Sequence, residues 1–357
     1  MMKKILILAA VLALSSACAK HSEIVPTEGL PIDFGTWTGT MTKAAKTEFA
    51  TNDEFDVYGF KWKTGPIDPL DVFTGDDVKY NGSTWSYSPV RIWDQSYDNY
   101  TFFAVFPKDQ LGDEAAEHDY AQRGLFISNE LTYNGSNEVL LVAQQKTVAK
   151  ANYNATVPLV FKHVGSWLDI KVKKHADLES VAVTVTDFAL SNIQTKGKFT
   201  VASYDGSDNP VGKTVSDVAG LGWDLAASPV VNDDDAIPYK ITSSVVMNAG
   251  DDCAALDLLT NLILMPQVLT TGGGSQTLTI SYTIQDGSGQ TFTYNDKSYE
   301  LRLFDNIDDE DNEDTLITKW MPGVHYTYYI TINANTIQFS ATIAPWGTDT
   351  GYHYLIN

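Results

Sequence analysis

The residue whose setting suggests the most specific chemistry is Cys18, which follows a short apolar segment at the N-terminus. Two lysines precede ten apolar residues at 5–14, and small residues at 15–17 separate this run from the cysteine. The run is too short to cross a bilayer but suits the core of a signal peptide. Small residues before a cysteine are typical of a lipobox, in which the thiol is acylated. The sequence therefore predicts a signal peptide over 1–17 and a lipid on Cys18, with plain secretion as the alternative.

The other reactive residue types form no pattern typical of an enzyme. The six histidines show no metal-ligand pairing, and no nucleophile elbow, phosphate-binding loop or dinucleotide fingerprint occurs. His163 follows Leu159 and Phe161 on one predicted strand face, which favours a buried core residue. The acidic runs at 232–236 and 304–315 are interpreted as solvated loops, because the longer one lacks the alternating ligands and the glycine of a calcium loop. The sequence predicts no catalytic residue, no cofactor and no metal.

The chain is strongly acidic, with a formal net charge of −21 over 357 residues. A field of this sign repels nucleic acid and anionic lipid head groups. We therefore expect no nucleic-acid partner, and contact with the outer membrane only through the lipid. If Cys18 is acylated, Cys253 has no partner for an internal disulfide, so stability must come from burial.

The composition of the chain favours β-structure, so strands must position any functional site. The chain contains 18 Tyr, 15 Phe and 8 Trp, which are types enriched in strands. Short alternating runs are separated by turn signals such as Asn81-Gly82 and Asp286-Gly287. Many short strands with regular turns predict an all-β chain of β-sandwich architecture. Helix is expected only briefly, at 112–121 and at 252–264.

Two breaks in composition divide the chain. Residues 18–31 are polar and interrupted by proline and glycine, which is typical of a linker. Residues around 145–155 are polar and lack strand periodicity, so we predict an N-terminal β-sandwich domain over 32–150 and a C-terminal one over 151–357. Alternation over 159–173 predicts an antiparallel hairpin at the start of the second domain.

A set of short stretches occurs in a fixed order between residues 32 and 346. After the lipidation signal come MTKAAKTEF, NDEFDVYGF, VKYNGSTWSYSPVRIW and YTFFAVFP, followed by EVLLVAQQKT and VPLVFKHVGSWLDIKV, and finally WMPGVHYTYYITI and IQFSATIAPW. Each stretch is weak alone, but the ordered set resembles the fimbrillin-like family, the Mfa-like subunits of type V pili. The resemblance implies two transthyretin-like β-sandwich domains in tandem and a structural, adhesive role in a surface fimbrium.

The resemblance also implies a route of maturation. A lipidated precursor reaches the outer membrane surface, a trypsin-like protease removes the first strand, and a strand from another fimbrial subunit fills the vacated groove. Lys43 and Lys46 lie in the matching stretch and are the candidate cleavage residues, although the family usually has arginine there. Two solvated loop lysines are the alternative interpretation, since lysine is normally exposed.

The donor strand implied by the resemblance is C-terminal. The alternating apolar residues of that segment are Ile337, Phe339, Ala341 and Ile343. The sequence leaves open whether they fill a neighbour's groove or complete their own sheet.

A surface glycan-binding lipoprotein of the outer membrane is the alternative function. In that hypothesis Trp85, Trp93 or Trp223 would serve as stacking platforms for sugars. A host or glycan ligand is compatible with either function. Thr315, in a short Asp-Thr-Leu sequence, is a weaker candidate for O-glycosylation.

Overall fold

The computed structural model describes residues 30–38, 49–65, 69–110, 117–119, 125–132, 140–201, 223–225, 231–232, 239–303, 316–334 and 336–345. Within these ranges the regular structure is strand, apart from short 3₁₀ turns at Lys150–Asn152, Ala176–Leu178 and Leu301–Leu303. The all-β prediction is therefore confirmed. Among the same residues, no helix has the length and apolar character needed to cross a membrane.

The strands of the first part are β1 (Phe34–Thr38), β2 (Glu54–Trp62), β3 (Leu70–Tyr80), β4 (Trp85–Ser86), β5 (Asn99–Phe106), β6 (Glu117–Asp119), β7 (Leu125–Thr132), β8 (Leu141–Ala149) and β9 (Val157–His163). Those of the second part are β10 (Ser166–Lys174), β11 (Ala182–Ser191), β12 (Lys196–Val201), β13 (Trp223–Leu225), β14 (Val245–Met247), β15 (Leu256–Leu264), β16 (Gln267–Val268), β17 (Thr277–Gln285), β18 (Thr291–Glu300), β19 (Lys319–Trp320), β20 (Val324–Ile332) and β21 (Ile337–Pro345).

Both predicted helices are wrong where the structure describes them. Strand β6 lies within 112–121, and β15 occupies most of 252–264. The apolar run of β15 has no periodicity that separates a buried strand from a helix. Its antiparallel pairing with β10 decides in favour of the strand.

The first sheet has seven strands in the order β1-β9-β8-β5-β2-β3-β4. Strand β9 pairs with β1 and β8, whereas β10 pairs with β15 and β20 in another sheet. The hairpin predicted over 159–173 is therefore wrong, because alternation identifies the buried face of a strand but not its partner. The first core takes in Leu159 and Phe161, so it extends past the domain division predicted at residue 150.

The first sheet curves until its two edge strands meet. The indole Nε1 of Trp85 on β4 donates a hydrogen bond of 2.8 Å to Oγ1 of Thr36 on β1. The enclosed core is rich in aromatic side chains, among them Phe34, Phe55, Phe73, Trp93, Tyr100, Phe102, Phe106, Tyr153 and Phe161. Strand β1 thus closes the seam of this sheet between β9 and β4.

The second part packs two four-stranded sheets face to face. Their orders are β15-β10-β20-β21 and β14-β11-β17-β18, and both contribute side chains to one core made largely of leucine, isoleucine and valine. Tyr299 on β18 packs edge to face on Phe339 of β21, with ring centroids 4.7 Å apart. The remaining strands form a four-stranded sheet, β13-β12-β7-β6, and a short pair, β16-β19.

Candidate functional site

Strand β1 and the residues just before it have pairing partners on both sides. The backbone N–H of Ile32 donates to the carbonyl of Arg91 at 2.9 Å, and the carbonyl of Leu30 accepts from Trp93 at 3.1 Å. From Phe34 onward the strand pairs parallel with β9 along its whole length. The segment is therefore an integral part of the sheet.

The side chain of Phe34 occupies a pocket made of four aromatic rings, which we name the Phe34 pocket: Phe55, Phe73, Tyr87 and Phe102. The Phe34 ring centroid lies 5.4 Å from that of Phe73, and 5.7 Å from those of Tyr87 and Phe102. Edge-to-face aromatic pairs add about 0.5–1.5 kcal/mol each beyond the burial of area. Only 6% of Phe34 is exposed, so the pocket is filled.

Polar contacts fix the same segment. The hydroxyl of Tyr87 donates to the carbonyl oxygen of Ile32 at 2.7 Å, and Ile32 is fully buried. The amide of Val157 donates to the carbonyl of Asp33 at 2.8 Å. The residues that hold the segment come from several strands and loops, so no sequence spacing linked them to β1.

The four predicted donor residues lie on β21, the outermost described strand of its sheet. Ala341 is fully buried, and Ile337, Phe339 and Ile343 are partly buried against the second core. Strand β21 pairs antiparallel with β20 over its whole length. In this structure the four residues complete their own sheet, and their use as a donor strand for a neighbour stays a prediction.

Several predicted sites lie outside the described residues: Cys18, Lys43, Lys46 and Thr315. Their lipidation, cleavage and glycosylation stay predictions. Trp223 lies on β13, and its side chain is also outside what the structure describes.

Two of the tryptophans proposed as sugar platforms, Trp85 and Trp93, have structural contacts instead. Trp93 is 1% exposed and stacks on Tyr153 with ring centroids 4.7 Å apart, so the prediction that it serves as a platform is wrong. Trp85 is half-buried and packs on Phe49 and Phe55, with centroid distances of 4.9 and 4.6 Å. Aromatic strands supply core as readily as they supply a binding surface.

One other residue lies as the sequence predicted. His163 is buried, and this burial lowers the pKa of its imidazole to about 3. The side chain is therefore neutral at physiological pH. Cys253 is a free cysteine of intermediate exposure, so its interpretation as a small core residue is wrong.

Three carboxylates from separate segments approach one another. One oxygen each of Asp56, Asp77 and Asp109 lies within 4.8 Å of the others. Burial raises the pKa of Asp56 to about 6, and the charges of Asp109 and Asp77 add to this rise. Lys108 Nζ lies 3.0 Å from Asp77 and 2.7 Å from Glu54, so the chain supplies a cation beside the group. The carboxylates and Lys108 form a charged network. That the protein binds no metal here stays a prediction.

The all-β fold is similar to that of a solved fimbrial protein. A fimbrial protein from Bacteroides vulgatus ATCC 8482 superposes with a TM-score of 0.59 at 17% sequence identity, over 88% of this chain and 99% of that one. A protein from Bacteroides uniformis ATCC 8492, named for a suggested role in cell adhesion, has a TM-score of 0.44 and 15% identity over 89% and 99% of the chains. A search of curated proteins finds no significant match.

The family follows from the sequence itself. The family model described as fimbrillin-like matches residues 42–346. The chain therefore belongs to the fimbrillin-like family, which confirms the resemblance. Fimbrial and adhesion proteins of this kind are structural proteins rather than enzymes.

Proposed function

We propose that the protein is a structural and adhesive subunit of a bacterial surface fimbrium, exported as a lipoprotein precursor and joined to its neighbours by donor-strand exchange. In this proposal Cys18 carries the lipid that holds the precursor at the outer membrane. A trypsin-like protease then cuts at Lys43 or Lys46. The partners are other fimbrial subunits, with a host or glycan ligand for adhesion.

One observation carries the proposal. Strand β1 precedes both candidate lysines in the chain, closes the seam of the first sheet and fills the Phe34 pocket. A cut at either lysine would separate β1 from β2, so that only non-covalent contacts would hold the strand. A single cleavage between β1 and β2 would therefore remove the covalent link between β1 and the rest of the first sheet.

The physical consequence of losing β1 supports the proposal. The edge of β9 would carry unpaired N–H and C=O groups, which is a template for another strand. The Phe34 pocket and the site of Ile32 would be empty, and each buried apolar side chain is worth about 1.5–3 kcal/mol. A donated strand restores both the ladder and the buried side chains.

Strand β21 is suited to act as the donor. Its sequence, IQFSATIAP, carries no charge that would oppose burial in a groove. Its inner side chains are only partly buried, apart from Ala341. To leave its sheet the strand must break the ladder to β20 alone among the described strands.

Limited trypsin treatment of the full-length protein tests the proposal. We expect loss of an N-terminal peptide ending at Lys43 or Lys46, followed by a ladder of multimers that resists detergent and dissociates on heating. The control is the double variant K43Q/K46Q, which should stay uncut and monomeric. A chain that is cut, loses β1 and still remains monomeric would contradict donor-strand exchange.

A separate measurement tests the lipid. Protein taken from cell surfaces after labelling with a fatty-acid analogue should carry label in the precursor and lose it once the N-terminal peptide is removed. The variant C18A should carry none. Label retained by C18A would overturn the assignment of Cys18.

A further inference from the structure

Residues 87–93, which follow β4 in the chain, form a loop that we name the clasp loop. Both backbone groups of the fully buried Ile32 are bonded to this loop. The N–H of Ile32 donates to the carbonyl of Arg91 at 2.9 Å, and its carbonyl accepts from the hydroxyl of Tyr87 at 2.7 Å. These bonds must break before the segment that begins β1 can leave the sheet.

The two ends of the clasp loop are fixed in the first core. The ring of Tyr87 packs edge to face on Phe73, with ring centroids 5.3 Å apart. At the other end Trp93 is buried and stacks on Tyr153 with centroids 4.7 Å apart. The middle of the loop differs, since Val90 is 61% exposed. The loop therefore needs a further contact to keep its middle against β1.

The side chain of Arg91 supplies this contact. Its Nε donates to the carbonyl of Val72 at 3.1 Å, and one terminal nitrogen lies 3.0 Å from a carboxylate oxygen of Asp76. Both partners lie on β3. The ion pair is partly shielded from water, because the side chains of Arg91 and Asp76 are 33% and 16% exposed. Hydrogen bonds of charged groups are stronger than neutral ones, so Arg91 fastens the middle of the loop to β3.

We propose that the clasp loop, fastened by Arg91, is the device that retains β1 once the chain has been cut, and that its opening limits the release of the strand. One residue makes both connections, since the carbonyl of Arg91 binds Ile32 and its guanidinium binds β3. Breaking the guanidinium contacts frees the carbonyl to move away from β1. The retaining role rests on the proposed function and adds a control that acts before any donor strand enters.

The other side of β1 offers no comparable way out. Strand β9, which pairs with β1 there, is itself paired with β8 and is held within the sheet ladder. The clasp loop has no ladder of this length, and its exposed middle depends on the contacts of one side chain. Local opening costs least where few buried contacts must break. The clasp loop is therefore the side from which β1 is released.

Hydrogen exchange of the uncut protein tests the clasp without any cleavage. The amide of Ile32 donates to Arg91, so its exchange rate reports the opening of the loop. In R91Q we expect this amide to exchange about tenfold faster than in the wild type, because the charged anchor on β3 is lost. The amide of Lys150, which donates to the carbonyl of Asp98 between β8 and β5, should keep its wild-type rate.

The matched control is K79Q, which also removes one basic side chain. Lys79 lies on β3 and forms a different ion pair there, 3.0 Å long, with Glu54. K79Q should leave the exchange of Ile32 unchanged, and D76N, which keeps the bond to Val72, should accelerate it less than R91Q does. The clasp is overturned if R91Q leaves Ile32 unchanged, if K79Q accelerates it equally, or if Lys150 accelerates to the same extent.

Release of the cut strand tests the retaining role. After trypsin, the peptide that ends at Lys43 or Lys46 should dissociate about tenfold faster from R91Q than from the wild type, and at the wild-type rate from K79Q. A peptide that leaves R91Q at the wild-type rate overturns the retaining role, even where the exchange of Ile32 has increased. If trypsin leaves β1 and β2 joined, the proposed maturation fails, and the exchange measurement still decides whether Arg91 fastens the loop.

Discussion

The terminal strands of the first and second parts of the molecule, β1 and β21, are buried to different depths. Strand β1 enters an aromatic core, with Phe34 6% exposed and Ile32 fully buried. Strand β21 lies along an aliphatic core, and its Ile337 and Phe339 are only partly buried. Both segments carry an Ile-x-Phe pattern, Ile32 to Phe34 and Ile337 to Phe339, and this pattern is buried more deeply in the first part than in the second.

In the proposed strand exchange, this difference would set the direction. The part that holds its strand more deeply loses more when the strand is released, because free energy scales with the apolar area returned to water. The second part buries β21 less deeply, so it loses less stabilising burial when this strand leaves. A donor moving from the second core of one copy to the first core of another would gain burial at both apolar positions.

The largest expected effect is the difference in the free energy of unfolding between F34A and F339A in the uncut protein. Removing a fully buried phenylalanine costs about 3–5 kcal/mol, so F34A should destabilise the first part by that amount. F339A should cost about 1–2 kcal/mol, because its side chain is only partly buried. Urea unfolding of each variant gives both values.

The control for this comparison is V246A, at a side chain of the second part that is 48% exposed. We expect a change within about 0.5 kcal/mol. If F339A proves as costly as F34A, the two strands are equally embedded and the direction of exchange loses its support.

The partly buried carboxylate of Asp169 should stabilise the second part when ionised. Burial alone would raise the pKa of Asp169, but hydrogen bonds from His325, the Asn261 amide and Trp167 lower it overall. A lowered pKa contributes stability at neutral pH that is lost as the pH falls below the ordinary Asp value. D169N should therefore cost about 2 kcal/mol at pH 7, with a smaller cost near pH 3, measured by thermal unfolding across that range.

In the first part, the pH dependence of stability that Asp56 contributes should have the opposite sign. Its folded pKa is raised to about 6, so the folded state holds a proton that the unfolded state releases between about pH 4 and 6. Stability therefore falls as the pH rises through this window. D56N should stabilise the protein by about 1–2 kcal/mol at pH 7.5, and the gain should vanish near pH 4. A gain that is the same at both pH values would mean that Asp56 is not the titrating group.

Local pattern was enough to predict much of the fold. Alternation in the segment of β2 and the turn at Asn81-Gly82 both have their structural counterparts, since Gly82 adopts a φ of 94° between β3 and β4. These signals depend on a few neighbouring residues. The strand β15 was missed because its apolar run suits either a helix or a buried strand.

Long-range pairing could not be predicted in this way. The Phe34 pocket joins Phe55 on β2, Phe73 on β3 and Phe102 on β5, and no spacing in the sequence connects them. Nothing in the alternation of β9 and β10 says that the two strands join different sheets. The removal of a strand was a prediction that only the family resemblance implied, and the groove beneath β1 could not be predicted from the sequence.

The smallest effect concerns the seam bond between Trp85 and Thr36, which is 2.8 Å long. T36V keeps the shape of the side chain and removes the acceptor, so it should weaken the hold on β1 by about 1 kcal/mol. After trypsin, the N-terminal peptide should leave roughly fivefold faster than from wild type. Release is measured by chromatography of the cut protein over time.

A double-mutant cycle with W85F isolates this bond from the packing that Trp85 also provides. If the bond holds the seam, T36V should add almost nothing in a W85F background, because the donor is already gone. Fully additive effects would mean that contacts other than this bond retain β1.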